Sequence, residues 1–519
     1  MRASRLRLRF RRALSGETLS KRASLNMVAA ILDYGARLII GLLLIPLLVS
    51  RLGDRTYGVY QLLIRLIGYA TPAGGRPSQA LKWTIARHQH SEEYDEKRLQ
   101  VGSALAVWVI FLPLLTVLGG LVAWFSPLIL QLPENVHTTV RLAAAFLVAD
   151  LILTNLLTIP QSVVQGENLG YKSMGLSTLV LFIGGGITTA SVLLGGGLIG
   201  VTASIAATTA MTGAVFLWVA RRNVHWFGVA RPRLKTIRTF LQLSGWFLVW
   251  SLVMQLMRAT DVVVLGISGS PELVTVYTLS RYVPEAIFST AAIVISAIMP
   301  GLGGLMGARE MQRAANVRSE SMSVTWLLAT ASGTVFLLWQ ESFLGLWVGP
   351  QYYPGPLTSL LIILMVLQFA FIRNDASIID LTLQLRGKVL LGILAAGVSI
   401  GLAVVLITQL DLGIDGLALG FIGGRSIVAV AYPWLVCRSL GVSPLYQLGG
   451  AVRPLALTAL LFAAAATLSP LLTVHSWILL VLATAVSLPL LGVASFLVGL
   501  SREQRSRVSR RVRRMLGRS

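Results

Sequence analysis

Seven arginines fall inside apolar stretches of this chain: Arg37, Arg65, Arg141, Arg258, Arg281, Arg373 and Arg425. A charge at the centre of a bilayer costs about 2.5–3.5 kcal/mol on insertion scales, so such residues face a cavity or a partner. Acids and amides stand near several of them. Asp33 precedes Arg37 by one helical turn, and Gln61 precedes Arg65 in the same way. Ser251, Gln255, Arg258 and Asp261 share one helical face. Arg281, Glu285 and Ser289 repeat that spacing, and Asp150, Thr154 and Thr158 form another stripe with Asn155 beside it. The i,i+4 pairs Asp33–Arg37 and Arg281–Glu285 read equally well as structural ion pairs. Arg141 is expected to snorkel to a membrane boundary, and Arg373 in the same way. Arg65 and Arg425 have no acid within one turn. With Arg37 and Arg258 they form the candidate substrate-binding set, because a guanidinium stays protonated and its fork fits a phosphate. Asp33, Asp150, Asp261, Arg281 and Glu285 are the candidates for gating or ion coupling.

These residues have to be positioned by membrane-spanning helices. Apolar runs of about 20 residues, enough to cross a bilayer core, recur along the chain. Fourteen are read, at 26–50, 57–76, 100–124, 140–160, 173–195, 198–220, 238–264, 275–300, 321–345, 356–380, 388–410, 416–437, 454–473 and 477–500. Roughly 35 of the 44 basic residues sit in the two tails and in every second connection, which places both termini in the cytoplasm. An even number of spans agrees with that. The charged inner connections are 81–100 and 221–238, and the outer ones are short. The first apolar run is too long for a signal-peptide core and lacks a small-residue cleavage site, so it is expected to be retained. Hydrophobic residues make up 55% of the 519 and the mean hydropathy is +0.75. The expected fold class is therefore an all-α polytopic membrane protein with no sizeable soluble domain.

The net charge of +23 would suggest nucleic acid in a soluble protein. Here the basic residues are juxtamembrane and point instead to anionic lipid headgroups at both tails. Val508, Val512 and Leu516 among the C-terminal arginines suit an interfacial helix. The single cysteine, Cys437, excludes an intramolecular disulfide and a cysteine-pair metal site. Gly195-x-Gly197-x-x-Gly200 imitates a dinucleotide fingerprint but occupies a transmembrane hairpin turn without the required strand. No phosphate-binding P-loop, HExxH or paired CxxC pattern occurs. His88 and His90 read as solvated loop residues, and Asp411 and Asp415 lack the downstream Glu of a calcium loop. No metal or cofactor is expected, and no enzymatic activity, because no outer connection is long enough to carry a catalytic domain.

A weak repeat runs through the chain. Gly53 and Gly269, Arg65 and Arg281, Gly197 and Gly413, and Gly200 and Gly416 are each 216 positions apart. The common offset implies two six-helix lobes in the same orientation, as in parallel-repeat transporters, with two further helices appended. The expected divisions are a basic tail at 1–25, an N-lobe at 26–220, a C-lobe at 221–438, two added spans at 439–500 and a basic tail at 501–519. Small residues in spans 5 and 6, among them Gly184–Gly186, Ala203, Ala206 and Ala207, favour close helix packing.

The run PLLVSRLGDRTYGVYQLLIRLIGY, the later ATDVVVLGISGSPELVTVYTLSRY and the IMPGLGGLMGARE segment carry a resemblance. Together they resemble bacterial polysaccharide-biosynthesis (O-antigen or exopolysaccharide) flippases of the multidrug/oligosaccharidyl-lipid/polysaccharide exporter superfamily. Asp261, Gly266 and Tyr277 match the positions of that family's Asp, Gly and Tyr. The stretch TPAGGRPSQA departs from the family's pattern and leaves the inner gate there undefined. The resemblance implies movement of undecaprenyl-diphosphate-linked glycan units from the inner to the outer leaflet of the bacterial cytoplasmic membrane by alternating access. The implied partner is a lipid-diphosphate-linked oligosaccharide, with no nucleic acid and a monomer as the expected state. A multidrug and toxin extrusion antiporter and a peptidoglycan lipid-precursor flippase are the transport alternatives. A membrane glycosyltransferase or polymerase is disfavoured for want of a large outer loop.

Overall fold

The computed structural model describes residues 32–87, 92–167, 169–382, 385–506 and 509. The N-terminal basic tail, the C-terminal one beyond Ser506 apart from Ser509, and His88 and His90 lie outside the described residues. The described residues are almost wholly helical, with no strand among them. Numbered in chain order, the helices are α1 (Leu32–Leu52), α2 (Asp54–Gly68), α3 (Pro77–Arg87), α4 (Tyr94–Ile129), α5 (His137–Gly166), α6 (Met174–Leu193), α7 (Gly197–Asn223) and α8 (Leu234–Ser268). They continue as α9 (Pro271–Ser280), α10 (Tyr282–Gly307), α11 (Met311–Trp347), α12 (Pro356–Thr382), α13 (Leu385–Thr408), α14 (Gly413–Leu440), α15 (Pro444–Leu468) and α16 (Trp477–Ala494).

Among the described residues, eleven helices are long and apolar enough to cross a membrane. The α2–α3 pair, α8 and the α9–α10 pair account for the other three expected passages. A bilayer core offers no water to backbone N–H and C=O groups, so only helices satisfy them at that depth. The chain is a polytopic membrane protein.

Two passages read as continuous are interrupted. The span expected at 57–76 ends as α2 at Gly68, then passes through a short turn containing Pro72. Gly75 and Arg76 take left-handed conformations there, at φ 63° and 46°. The interruption has a packing reason: Gly74 abuts Asn155 of α5 and Gly75 abuts Phe111 of α4, so neither position has room for a side chain. The span expected at 275–300 breaks at Arg281, between α9 and α10. The inner connection expected at 81–100 is in good part helical, because α3 runs to Arg87 and α4 starts at Tyr94. Charged residues such as Glu, Lys and Arg are good helix formers, so charge marked the membrane boundary without marking the helix end.

Contacts divide the chain within α8 into two compact units, Met1–Gln255 and Leu256–Ser519. In the first, α5 packs on α4, α3 and α7, and α6 pairs with α7. In the second, α12 packs on α11, α10 and α14, α13 pairs with α14, and α15 and α16 pack on α11. The 216-residue offset is visible in the backbone. Leu52 and Ser268 end α1 and α8, Gly166 and Thr382 end α5 and α12, and Gly197 and Gly413 begin α7 and α14. The two glycines have nearly the same φ, 52° and 49°. The amides of Gly53 and Gly269 close onto the carbonyls of Val49 and Leu265, again 216 apart.

Glycine sets the closeness of the α6–α7 and α13–α14 hairpins. Gly184 faces Thr208 across α6–α7, while Gly420 and Gly424 sit against the backbone of Ala403 and Ser399 across α13–α14. Gly397 on α13 faces open space. Gly424→Ala is therefore expected to lower the melting temperature in detergent, overpacking costing about 1–3 kcal/mol. Gly397→Ala should leave it unchanged or raise it, since alanine is the better helix former by about 1 kcal/mol. Equal melting of the two variants would contradict this packing.

Candidate functional site

The second unit gathers four of the expected residues. Asp261 on α8 has no exposed surface. One of its oxygens accepts from the Val262 amide at 2.8 Å and the other from the Tyr277 hydroxyl at 2.9 Å. Arg281 donates to that same oxygen. Its guanidinium also donates to the Tyr277 hydroxyl at 2.9 Å and pairs with Glu285 at 3.5 Å. Arg281 lies at the junction of α9 and α10, one turn after Tyr277 and one turn before Glu285, so its side chain meets both of them as well as Asp261 on α8. Its two acids are unequal. Asp261 is sealed, whereas the Glu285 side chain is 37% exposed and holds on at a longer distance.

Arg425 on α14 completes the cluster. It is buried, donates to the Met257 carbonyl at 2.7 Å, and lies over the rings of Phe369 and Phe421 at 4.9 and 4.8 Å. Cation–π contacts of this kind gain strength when desolvated. Arg281, Glu285, Phe288, Val366, Phe369 and Arg425 line one small cleft. Phe288 and Phe369 are stacked there at 5.4 Å. The result is a narrow cleft with two guanidinium groups, one accessible carboxylate and an aromatic wall, with more positive than negative charge on its lining.

The other expected residues lie in the first unit, apart from Arg258, whose side chain lies outside the described residues. Asp33 and Arg37 form their i,i+4 pair at 3.0 Å, with the arginine side chain 59% exposed. The Arg65 Nε is buried with no hydrogen-bond partner among the described residues, as is one oxygen of Asp150. The Thr209 hydroxyl bonds the Asp150 carboxyl group, and Tyr60 is close enough to feel its charge. Arg65, Asp150 and Thr209 correspond at the 216 offset to Arg281, Val366 and Arg425. One framework position therefore carries one arginine and one acid in the first unit, and two arginines in the second. Arg141, expected to snorkel, donates to the Trp124 carbonyl at 3.1 Å and stacks over its ring at 4.1 Å.

Sequence reading missed three ion pairs in which at least one partner is buried. Arg318 on α11 grips Asp375 on α12 through two bonds of 2.7 and 2.8 Å. Lys388 donates to Asp380 at 2.6 Å and to the Ala376 carbonyl at 2.9 Å. In the first unit Lys97 pairs with Glu167 at 3.0 Å, and the same acid accepts from the Trp226 ring nitrogen at 2.9 Å. The partners are 57, 8 and 70 residues apart, so no local pattern announces the first or the last. Among the described residues no three His, Cys, Asp or Glu converge as a metal site.

The folded chain is similar to solved transporters. A lipid II flippase MurJ in an inward closed conformation aligns with a TM-score of 0.65 at 12% identity, covering 91% of this chain and 98% of that one. An inward-facing multidrug resistance MATE transporter gives 0.63 at 14%, with 79% and 94% covered. A MOP superfamily transporter from Pyrococcus furiosus, for which a reverse polarity of the binding pocket suggests a different function, gives 0.56 at 15%, with 81% and 96% covered. No curated protein matches the sequence. The fold, with its polar centres at membrane depth, is that of the MOP transporters. Residues 24–306, more than half of the chain, match the family of polysaccharide biosynthesis proteins, and the chain belongs to that family.

The Arg318–Asp375 pair can be separated from the polar centre by mutation. Breaking a buried pair on one side costs about 3–5 kcal/mol, whereas replacing both partners by packed apolar groups is often neutral. Arg318→Met alone should therefore destabilise strongly, and adding Asp375→Leu should restore most of the melting temperature. A double variant no more stable than the single one would show that the pair does more than hold α11 to α12.

Proposed function

We propose that this protein is a flippase that moves lipid-diphosphate-linked oligosaccharides from the inner to the outer leaflet of a bacterial inner membrane by alternating access. Both termini are cytoplasmic in this reading, as the distribution of basic residues requires. The observation that carries it is the cleft of the second unit, where Arg281 and Arg425 face the same space beside Phe288 and Phe369. Arg425 makes no ion pair among the described residues, so its charge is available to an anion. A guanidinium about 4 Å from a phosphate gains about 4 kcal/mol at an effective dielectric constant of 20. That exceeds the cost of keeping one arginine at bilayer depth, about 2.5–3.5 kcal/mol. Arg37, Arg65 and Arg258 are further headgroup contacts in this proposal, with Asp33, Asp150, Asp261 and Glu285 releasing or gating the cations. The membership in a polysaccharide biosynthesis family and the fold shared with a lipid II flippase support the same substrate class. A carrier of organic cations would need accessible carboxylates in excess over guanidinium groups, and this cleft has the opposite balance.

The proposal is tested by leaflet-resolved transport of a fluorescent lipid-diphosphate sugar in vesicles containing the purified protein. Arg425→Gln, whose amide keeps a donor for the Met257 carbonyl, should slow transport about ten- to a hundredfold, the worth of one charged hydrogen bond, at equal amounts of folded protein in the vesicles. Arg65→Ala and Arg258→Ala should also impair it. Full rates in all three variants would remove these arginines from the substrate path.

A further inference from the structure

Trp218 and Arg222 near the end of α7 have counterparts 216 positions later, Trp434 and Arg438 near the end of α14. Each arginine lies over its own tryptophan, with the guanidinium carbon 5.1 Å from the ring centre in the first pair and 5.8 Å in the second. The tryptophans are exposed to the same degree, 50% and 51%. Each pair ends an exposed stripe at i, i+4 and i+8, formed by Ala214, Trp218 and Arg222 in one unit and Val430, Trp434 and Arg438 in the other. A large ring half exposed at the end of an apolar helix sits at the depth of the headgroup boundary.

A second cation stands near the open end of each hairpin, though not at matching positions of the repeat. Lys172, just ahead of α6, reaches Asn223 at the end of α7 at 2.9 Å. Arg386, in the first turn of α13, is exposed on the helix that packs against α14. The starts of α6 and α13 also present the positive ends of their helix dipoles, which favour negative charge. The nearby acids are already engaged, Glu167 by Lys97 and Asp380 by Lys388.

We infer that the open ends of the α6–α7 and α13–α14 hairpins are two equivalent binding sites for the phosphate of an anionic bilayer phospholipid. The tryptophan ring lies along the glycerol and upper acyl chain, and the stacked arginine and the second cation contact the phosphate. A phospholipid that also carries a quaternary ammonium would bring a positive charge toward these cations and is disfavoured. An arginine placed only to offset the helix C-terminus would have no use for an exposed ring beneath it. The inference rests on the membrane fold alone. It stands whether or not the chain moves lipid-linked sugars, and its test measures binding without transport.

The test is native mass spectrometry of the full-length protein in detergent, with phosphatidylglycerol and phosphatidylcholine of matched chains. The wild type should retain phosphatidylglycerol preferentially. Arg222→Gln and Arg438→Gln should each weaken retention at one site about fivefold, the usual worth of one basic residue at an anionic surface, and together abolish the preference. Trp218→Leu should also weaken it, with Arg222→Lys intermediate because it keeps the charge and loses the planar stack. The variants must melt as the wild type does in phosphatidylcholine; Arg222→Lys and Trp218→Leu carry the test if the glutamine variants do not. Equal retention of both lipids by the wild type, or undiminished retention by the substituted proteins, overturns the inference. Displacement of phosphatidylglycerol by equimolar inorganic phosphate would also overturn it, by showing a site for free anions.

Discussion

Desolvation of charge governs this structure. A guanidinium removed from water must find a carboxylate, a carbonyl, a ring face or a ligand, and the buried arginines of the second unit divide by which of these they find. Arg318 finds a matched carboxylate in two-point geometry and is fully used. Arg281 finds one sealed acid and one accessible acid. Arg425 finds a carbonyl and two aromatic faces, which solvate the cation without neutralising it. This gradient runs from a neutralised cation to one merely accommodated, and the proposed anion contact stands at its far end. The arginine accommodated without a carboxylate lines the cleft.

The same physics shapes the backbone around the cluster. Tyr277 and Glu285 stand one turn before and one turn after Arg281, and the backbone bonds of Arg281 to Tyr277 and of Glu285 to Arg281 keep the three on one face, from which the arginine also reaches Asp261. The interruption in the first unit falls at Tyr69–Arg76, slightly later than the equivalent of Arg281. There Gly74 and Gly75 are pressed against Asn155 and Phe111, so close packing rather than an ion cluster occupies the bend.

Much of this was legible beforehand because it is local or periodic. Hydropathy over about 20 residues finds helices of membrane length, basic residues mark alternate connections, and i,i+4 spacing announced Asp33–Arg37 and Arg281–Glu285, both of which form. The repeat was legible from a handful of glycines, since a left-handed residue at a hairpin turn has few substitutes. The breaks were not, because one lost turn scarcely alters a long hydropathy average. Nor was the partner of Arg281, twenty residues back on another helix, or the ring pair around Arg425. Such contacts depend on which helix faces lie together, and side-chain spacing along one helix carries no record of that. TPAGGRP did hold the signal for the first interruption, a proline and two adjacent glycines within an otherwise apolar run.

The two units also show which positions the bilayer controls and which a ligand would. At the helix ends the repeat kept its chemistry: Trp218–Arg222 and Trp434–Arg438 are the same pair in the same register with the same exposure. At mid-depth the framework is retained and the chemistry diverges, with Asp150 and Thr209 in one unit where Val366 and Arg425 stand in the other. A bilayer makes the same demand of both units at its headgroup boundary, so like residues satisfy it twice. The proposed substrate, a charged head with a glycan beyond it, would make unlike demands of the surfaces around it. Divergence at these polar centres, between helices whose ends at Leu52 and Ser268, Gly166 and Thr382 still match to the residue, is the pattern expected of a duplicated scaffold whose interior answers to a ligand.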